Sequence, residues 1–301
     1  MALRRISPKL LRNIGPYSNY MTRPLATQTI EKETEGPSSK QTHFGFQTVD
    51  EEEKWKKVHE VFETVADKYD LMNDAMSFGI HRIWKDIFMA RLAPTHGTKL
   101  LDMAGGTGDI TFRYINYLKN LKPAPKDKQS SVTVCDINQA MLDVGKLRAQ
   151  RVELQEAMHH LHDLTHSQSS SSANVPTAGA QACPMDELGR LGHDPQRVPS
   201  AVLEEAYRVL APGGRFLCLE FSHLPNHTLQ WVYDQYSFQV IPVLGQLLAG
   251  QWRPYQYLVE SIRQFPDQEK FKAMIEDAGF RQVTYENLTF GTCAIHSGFK
   301  I

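Results

Sequence analysis

The stretch "LLDMAGGTGDI", residues 100–110, decides the fold. Its apolar start gives way to Gly105, Gly106 and Gly108, and a helix-forming run, "TGDITFRYINYLKNL", follows at 107–121. A short apolar run closed by glycines predicts a buried strand entering a tight turn. Without a Cβ, the glycines let the backbone pass close to a ligand, and the free N–H groups at the start of the next helix face it. Outward from there, "VTVCDIN" at 132–138 is rich in β-branched residues and predicts a second strand, with "QAMLDVGKLRAQ" at 139–150 as another helix. Strand, helix, strand, helix predicts a parallel sheet with crossover helices, the α/β doubly wound class.

Upstream, residues 51–92 place Val58, Val61, Phe62, Val65, Tyr69, Leu71 and Met72 at three- and four-residue spacings, a helical N-terminal extension. Downstream, "SAVLEEAYRVL" predicts a helix, "APGG" a turn and "RFLCLEFS" a strand. A long apolar and aromatic stretch at 229–250 is broken at Pro242. A helix at 267–279 and a pair of strands at 280–300 close the chain.

Composition excludes several function classes. The 33 basic and 34 acidic side chains nearly cancel, so no global field recruits nucleic acid or an anionic membrane. Cys135, Cys183, Cys218 and Cys293 are widely spaced with no CxxC or Cys/His pattern, and they read as thiols of a reducing compartment. No apolar run approaches the ~20 residues that cross a bilayer. The first thirty residues carry Arg4, Arg5, Lys9, Arg12 and Arg23, and the first acid is Glu31. That bias predicts a mitochondrial transit peptide over 1–28, followed by a polar linker over 29–50.

The glycine turn by itself also suits a dinucleotide; the acids around it discriminate. Asp136 ends the second strand, where a carboxylate accepts hydrogen bonds from ribose hydroxyls of an adenosine ligand. Asp102, inside the first strand, sets a negative charge near the turn, which favours a cationic amino-acid tail and repels a pyrophosphate. The pattern is GGTG rather than GxGxxG. S-adenosylmethionine therefore fits better than a nicotinamide cofactor. A tight turn capped by Asp109, with no ligand, is the plain structural alternative.

These three segments resemble the first motif, the second-strand acid and the PGG turn of class I methyltransferases. More narrowly, "VADKYDLMNDAMSFGIHRIWK", "YDQYSFQVIPVLGQLLAG", "YQYLVESIRQFPDQEKFKAMIEDAGF" and the closing "AIHSGFK" resemble the ubiquinone and menaquinone C-methyltransferase family, over 43–148 and 201–301. The resemblance implies a Rossmann-like class I fold over 51–301 and methyl transfer from S-adenosylmethionine to a ring carbon of a polyprenyl benzoquinol. It implies a mitochondrial, peripheral position on the matrix side of the inner membrane, within a multi-enzyme complex of ubiquinone biosynthesis. It implies Asp102, Gly106, Thr107 and Asp136 as the cofactor's ligands, and the segment with Tyr69, Asn73 and His81 would lid the methionine end. His81 is a weak candidate base, since a lone histidine at a helix end is more often structural. The stretch 231–248 would receive the prenyl tail, or serve as core or the face of a homodimer.

The family's pattern fails over 151–200. The family carries an acidic motif after its third strand and a fourth strand ending in Ile-Arg-Asn, and neither is present. The fifty residues hold no Phe, Trp, Tyr, Ile or Lys, and five of the twelve histidines (His159, His160, His162, His166 and His193) crowd into them. Such a segment cannot build two buried strands. The histidines lack the spacing of a metal site. A reading-frame slip explains the replacement, since the codons of 193–196 read one base later can encode Ile-Arg-Asn. If the segment is genuine protein, the rival reading is a catalytically inactive subunit of the complex.

Overall fold

In a computed structural model the glycine run sits at the carboxyl end of a strand, as the sequence predicts. The structure describes residues 41–122, 128–136, 138–166 and 197–301. The transit-peptide expectation and most of the anomalous segment lie outside them.

The described chain opens with a hairpin, β1 (Gln41–Phe44) and β2 (Gln47–Asp50), inside the stretch expected to be a linker. It is held from outside. The Phe46 N–H donates to Glu260 Oε2 at 2.9 Å, the Gln264 amide donates to the Gly45 carbonyl at 2.6 Å, and Phe44 stacks on Tyr257 at 4.1 Å. Two four-residue strands are unstable alone, so tertiary contacts that no local pattern announces decide this element.

Helices α1 (Glu51–Val65), α2 (Tyr69–Ser77) and α3 (Ile80–Leu92) form the N-terminal extension. β3 (Lys99–Met103) leads through the glycine turn into α4 (Asp109–Lys119), and β4 (Ser131–Cys135) leads into α5 (Gln139–His166). β3 and β4 pair in parallel from Lys99↔Ser131 to Met103↔Cys135, as the crossover argument requires. α5 runs sixteen residues past its expected end, through "RVELQEAMHHLHDLTH", whose Glu, Leu, Gln, Ala and Met are good helix formers. The C-terminal half comprises α6 (Arg197–Val209), β5 (Arg215–Phe221), α7 (His227–Gln239), α8 (Ile241–Leu244), a π-helical turn (Gly245–Ala249), α9 (Arg253–Gln264), α10 (Gln268–Asp277), β6 (Arg281–Leu288) and β7 (Cys293–Phe299). β7 lies between β5 and β6, antiparallel to both.

The doubly wound sheet therefore stands in two pieces among the described residues: β3–β4 and β5–β7–β6 are not hydrogen-bonded to each other. They nevertheless share helix α3 and run the same way beneath it. Near its start, Lys85 meets Asp109 just beyond the end of β3, and Trp84 packs edge-on against Phe221 at the end of β5. Near its end, Leu92 and Leu100, at the start of β3, pack against the same cluster of Met89, Tyr114 and Val132, and the Arg91 carbonyl accepts from Arg215 at the start of β5. Two parallel strands under one helix without a shared ladder leave a lane between them. Leu101 of β3 is accordingly exposed, at 39%, in a strand whose sequence reads as central.

Most of the core lies behind the C-terminal sheet, where Leu203, Ala206, Phe271, Ile275, Phe280 and Val283 close together. A second cluster joins Val65 and Met72 to Ile241, Tyr255 and Val259, and so docks the N-terminal helices on the C-terminal ones. Cys135 and Cys293 are buried, and among the described residues no cysteine forms a disulfide.

Candidate functional site

The site is built where β3 and β4 end. At Gly105 a Cβ would come within 2.6 Å of Val134 Cγ1 and 3.0 Å of the Asp102 carboxyl, so no other residue fits without displacement. Gly106 holds φ at +53°, and Ala104 just before it takes φ +55°, a left-handed backbone that an alanine rarely adopts. Strain of this kind persists where the surroundings fix the turn. The fixing bond is short: the Gly106 N–H donates to Asp136 Oδ2 at 2.8 Å, and the Asn138 N–H donates to Asp136 Oδ1, also at 2.8 Å. Asp136 is partly exposed beside the turn. Thr107 is buried, and its carbonyl packs against Gly145 of α5.

Asp102 is placed differently from the expectation. Its carboxylate is buried and accepts from the Thr111 hydroxyl at 2.7 Å, so it braces the turn against α4 instead of facing open space. Burial, opposed by the Thr111 hydrogen bonds and assisted by the nearby Asp136 and Asp109 charges, pushes its carboxyl up. Asp109 is no helix cap; Gly108 occupies that position. Asp109 instead accepts from Lys85 at 2.6 Å, with Arg113 at 3.7 Å and Arg148 at 3.6 Å. Burial raises its carboxyl, and the three cations outweigh burial to hold it below the ordinary carboxylate range. Arg148 also lies over the Phe112 ring and reaches Asp70 at 3.4 Å, tying α2, α4 and α5 together.

Of the three residues assigned to the lid, Tyr69 approaches the site. Burial pushes its phenol up, a hydrogen bond with Asn73 opposes this, and the charges of Glu220 and Asp136 add to it. His81 is buried, and its Nε2 bonds to Asp74 Oδ1 at 2.8 Å, while Arg82 forks onto the same carboxylate at 2.7 Å through both Nε and Nη2. That geometry joins α2 to α3. Sequence reasoning missed the Asp109 network and Glu220. The signal for Glu220 was available, since one charged side chain interrupts the apolar strand "RFLCLEFS".

The profile of the ubiE/COQ5 methyltransferase family matches residues 47–300. The chain belongs to the ubiE/COQ5 methyltransferase family. Among curated relatives, 2-methoxy-6-polyprenyl-1,4-benzoquinol methylase, mitochondrial, of Drosophila melanogaster is 61% identical over 268 residues, 87% of this chain and 86% of that one. The protein of the same name from Homo sapiens is 48% identical, covering 87% of this chain and 85% of its own length. Among solved structures, magnesium protoporphyrin IX methyltransferase from Synechocystis, with bound SAH, is 14% identical with a TM-score of 0.46, over 82% of this chain and 99% of that one. As a ubiE/COQ5 family member the chain is an S-adenosylmethionine-dependent methyltransferase of the class I fold. The residues fit that cofactor: the glycine turn is a cradle that a Cβ would fill, and Asp136 is held beside it by two backbone amides.

Proposed function

We propose that this protein methylates a ring carbon of a 2-methoxy-6-polyprenyl-1,4-benzoquinol in ubiquinone biosynthesis, at the matrix face of the mitochondrial inner membrane and within a multi-enzyme complex. The observation that carries the reading is the 61% identity, over 87% of the chain, to a mitochondrial methylase named for that substrate. No helix among the described residues is long and apolar enough to cross a membrane, so contact with the bilayer in this reading is peripheral.

The bound cofactor supplies an electrophilic methyl group on a sulfonium sulfur. The chain's part is to hold an electron-rich ring carbon in line with that methyl and to accept protons. Asp136 binds the ribose hydroxyls, the backbone of Gly105–Thr107 closes on the cofactor, and Asp102 sets the turn from behind. Residues 231–248 receive the prenyl tail. Tyr236, Phe238 and Leu244 of that stretch pack inward, while Trp231, Val232 and Leu247 are exposed, at 57%, 52% and 63%.

For residues 151–200 the reading includes a reading-frame difference between this chain and the active enzyme. The separation of β3 from β5 supports it, since residues 151–200 hold no Phe, Trp, Tyr or Ile with which to build a buried strand in the lane. One experiment tests both parts. The protein isolated from its native source is digested with trypsin for mass spectrometry and assayed for methyl transfer to a short-chain benzoquinol. Methyl transfer together with a peptide ending Ile-Arg, followed in the chain by one that begins with Asn, upholds the reading. A peptide ending "CPMDELGR" with no methyl transfer overturns it.

A further inference from the structure

Glu220 is the one charged side chain within β5 that the site as described leaves without a role. It lies next to last in the strand, paired with Ala294 of β7. Because β3 and β5 run the same way beneath α3, this end of β5 lies at the same edge of the fold as the glycine turn and Asp136. Tyr69 lies near enough to both Glu220 and Asp136 for their charges to add to the burial that raises its phenol. Glu220 is exposed at this edge while its strand neighbours are half-buried, so a ligand can reach the carboxyl. Ser222, two residues on, buries a hydroxyl with no partner among the described residues, so this strand end carries two polar groups that packing does not explain.

Resting on the benzoquinol reading above, we propose that Glu220 is the catalytic base that takes the proton from the ring carbon once it is methylated. The ring carbon forms its bond to the methyl group as the S–C bond breaks, with that electron pair retained by sulfur. The carbon then carries both methyl and hydrogen. The Glu220 carboxylate accepts the proton, the C–H electron pair restores the aromatic ring, and the carboxylic acid later returns the proton to water. The titratable groups near Glu220 are Tyr69 from the start of α2 and Cys218 on the same face of its strand, with Cys293, which pairs with Phe221, on the other face of the sheet. Desolvation by the surrounding protein pushes the carboxyl up to about 7, against a hydrogen bond from the Phe221 backbone, although the residue itself is exposed. A base of that basicity is half-ionised at the pH where it works.

The test compares the full-length wild type, Glu220→Gln and Glu220→Asp. For Glu220→Gln the expected result is unchanged affinity for S-adenosylhomocysteine by calorimetry and a kcat lower by about 10²-fold or more. The rise of kcat with pH near 7 should disappear, and a primary isotope effect should appear with substrate deuterated at the methylated carbon. Glu220→Asp should recover part of the rate. In the cofactor-free wild type, infrared spectroscopy should show a carboxyl titrating near 7 that Glu220→Gln lacks. Equal rates and pH profiles for wild type and Glu220→Gln overturn the assignment and leave the methyltransferase reading standing. A wild type that methylates no benzoquinol removes both. Should Glu220→Gln fail to fold, the infrared titration and Glu220→Asp decide, and a wild type with no carboxyl titrating near 7 overturns the proposal.

Discussion

The Asp136 carboxylate accepts the Gly106 amide proton at 2.8 Å, so the acid that ends β4 also sets the turn that ends β3. One residue thereby shapes the cradle and, in the proposed function, presents the carboxylate to the ribose. Asp136→Ala removes both functions and strands two backbone N–H donors. Charge-assisted hydrogen bonds of this kind contribute roughly 1.5–3 kcal/mol each. Affinity for S-adenosylhomocysteine, measured by calorimetry, should fall by about 10- to 100-fold. An unchanged dissociation constant would show that the ribose is held elsewhere.

Gly105 makes the closest approach in the turn, with Val134 and Asp102 both inside the space a methyl group needs. Gly105→Ala should lower stability by about 1–3 kcal/mol through overpacking. It should also displace the turn, so the thermal midpoint and cofactor affinity fall together. A variant that loses stability and keeps full affinity would separate the packing role from the binding role.

Much of this site is legible in the sequence, because its logic is local. Glycines before a helix and an acid at the end of the next strand depend only on neighbours, and both are found where the chain predicts them. What is not legible depends on contacts across the chain. The hairpin at 41–50 exists because Glu260, Gln264 and Tyr257 hold it from more than two hundred residues away. The role of Asp102 turned on Thr111, which lies on the far side of the turn, and a spacing argument cannot show which way a carboxylate faces. The divided sheet was foreshadowed by composition alone, through the missing aromatics and isoleucines of 151–200.

Asp109 gives the fold a dependence on acid. Lys85, Arg113 and Arg148 converge on its carboxylate and hold its folded value below the ordinary one, so the ionised form stabilises the folded state. That contribution is complete above the unfolded carboxyl's value, near 4, and is lost as pH falls through the lower folded value. Asp109→Asn leaves three cations facing one another. It should cost roughly 1–3 kcal/mol at pH 7 in urea denaturation. The gap between wild type and variant should narrow below about pH 4. A gap that stays constant with pH would mean that Asp109 acts through shape and not charge.

The exposed side of residues 231–248 tests where the prenyl tail lies. Leu247 is 63% exposed on the π-helical turn, with Trp231 and Val232 exposed on α7. A mixed pattern of inward and outward apolar residues is what a surface that closes over a flexible hydrocarbon needs, whereas a plain core helix would hide them all. Leu247→Glu should leave kcat/KM for a benzoquinol with a one-isoprene tail unchanged. For a long-tailed substrate in detergent, loss of one leucine contact should lower it by roughly 10-fold. An equal loss with both substrates would place the effect on folding or on the ring site. No loss with either would leave the surface to a dimer contact, which sedimentation of the same variant would reveal as a shift toward monomer.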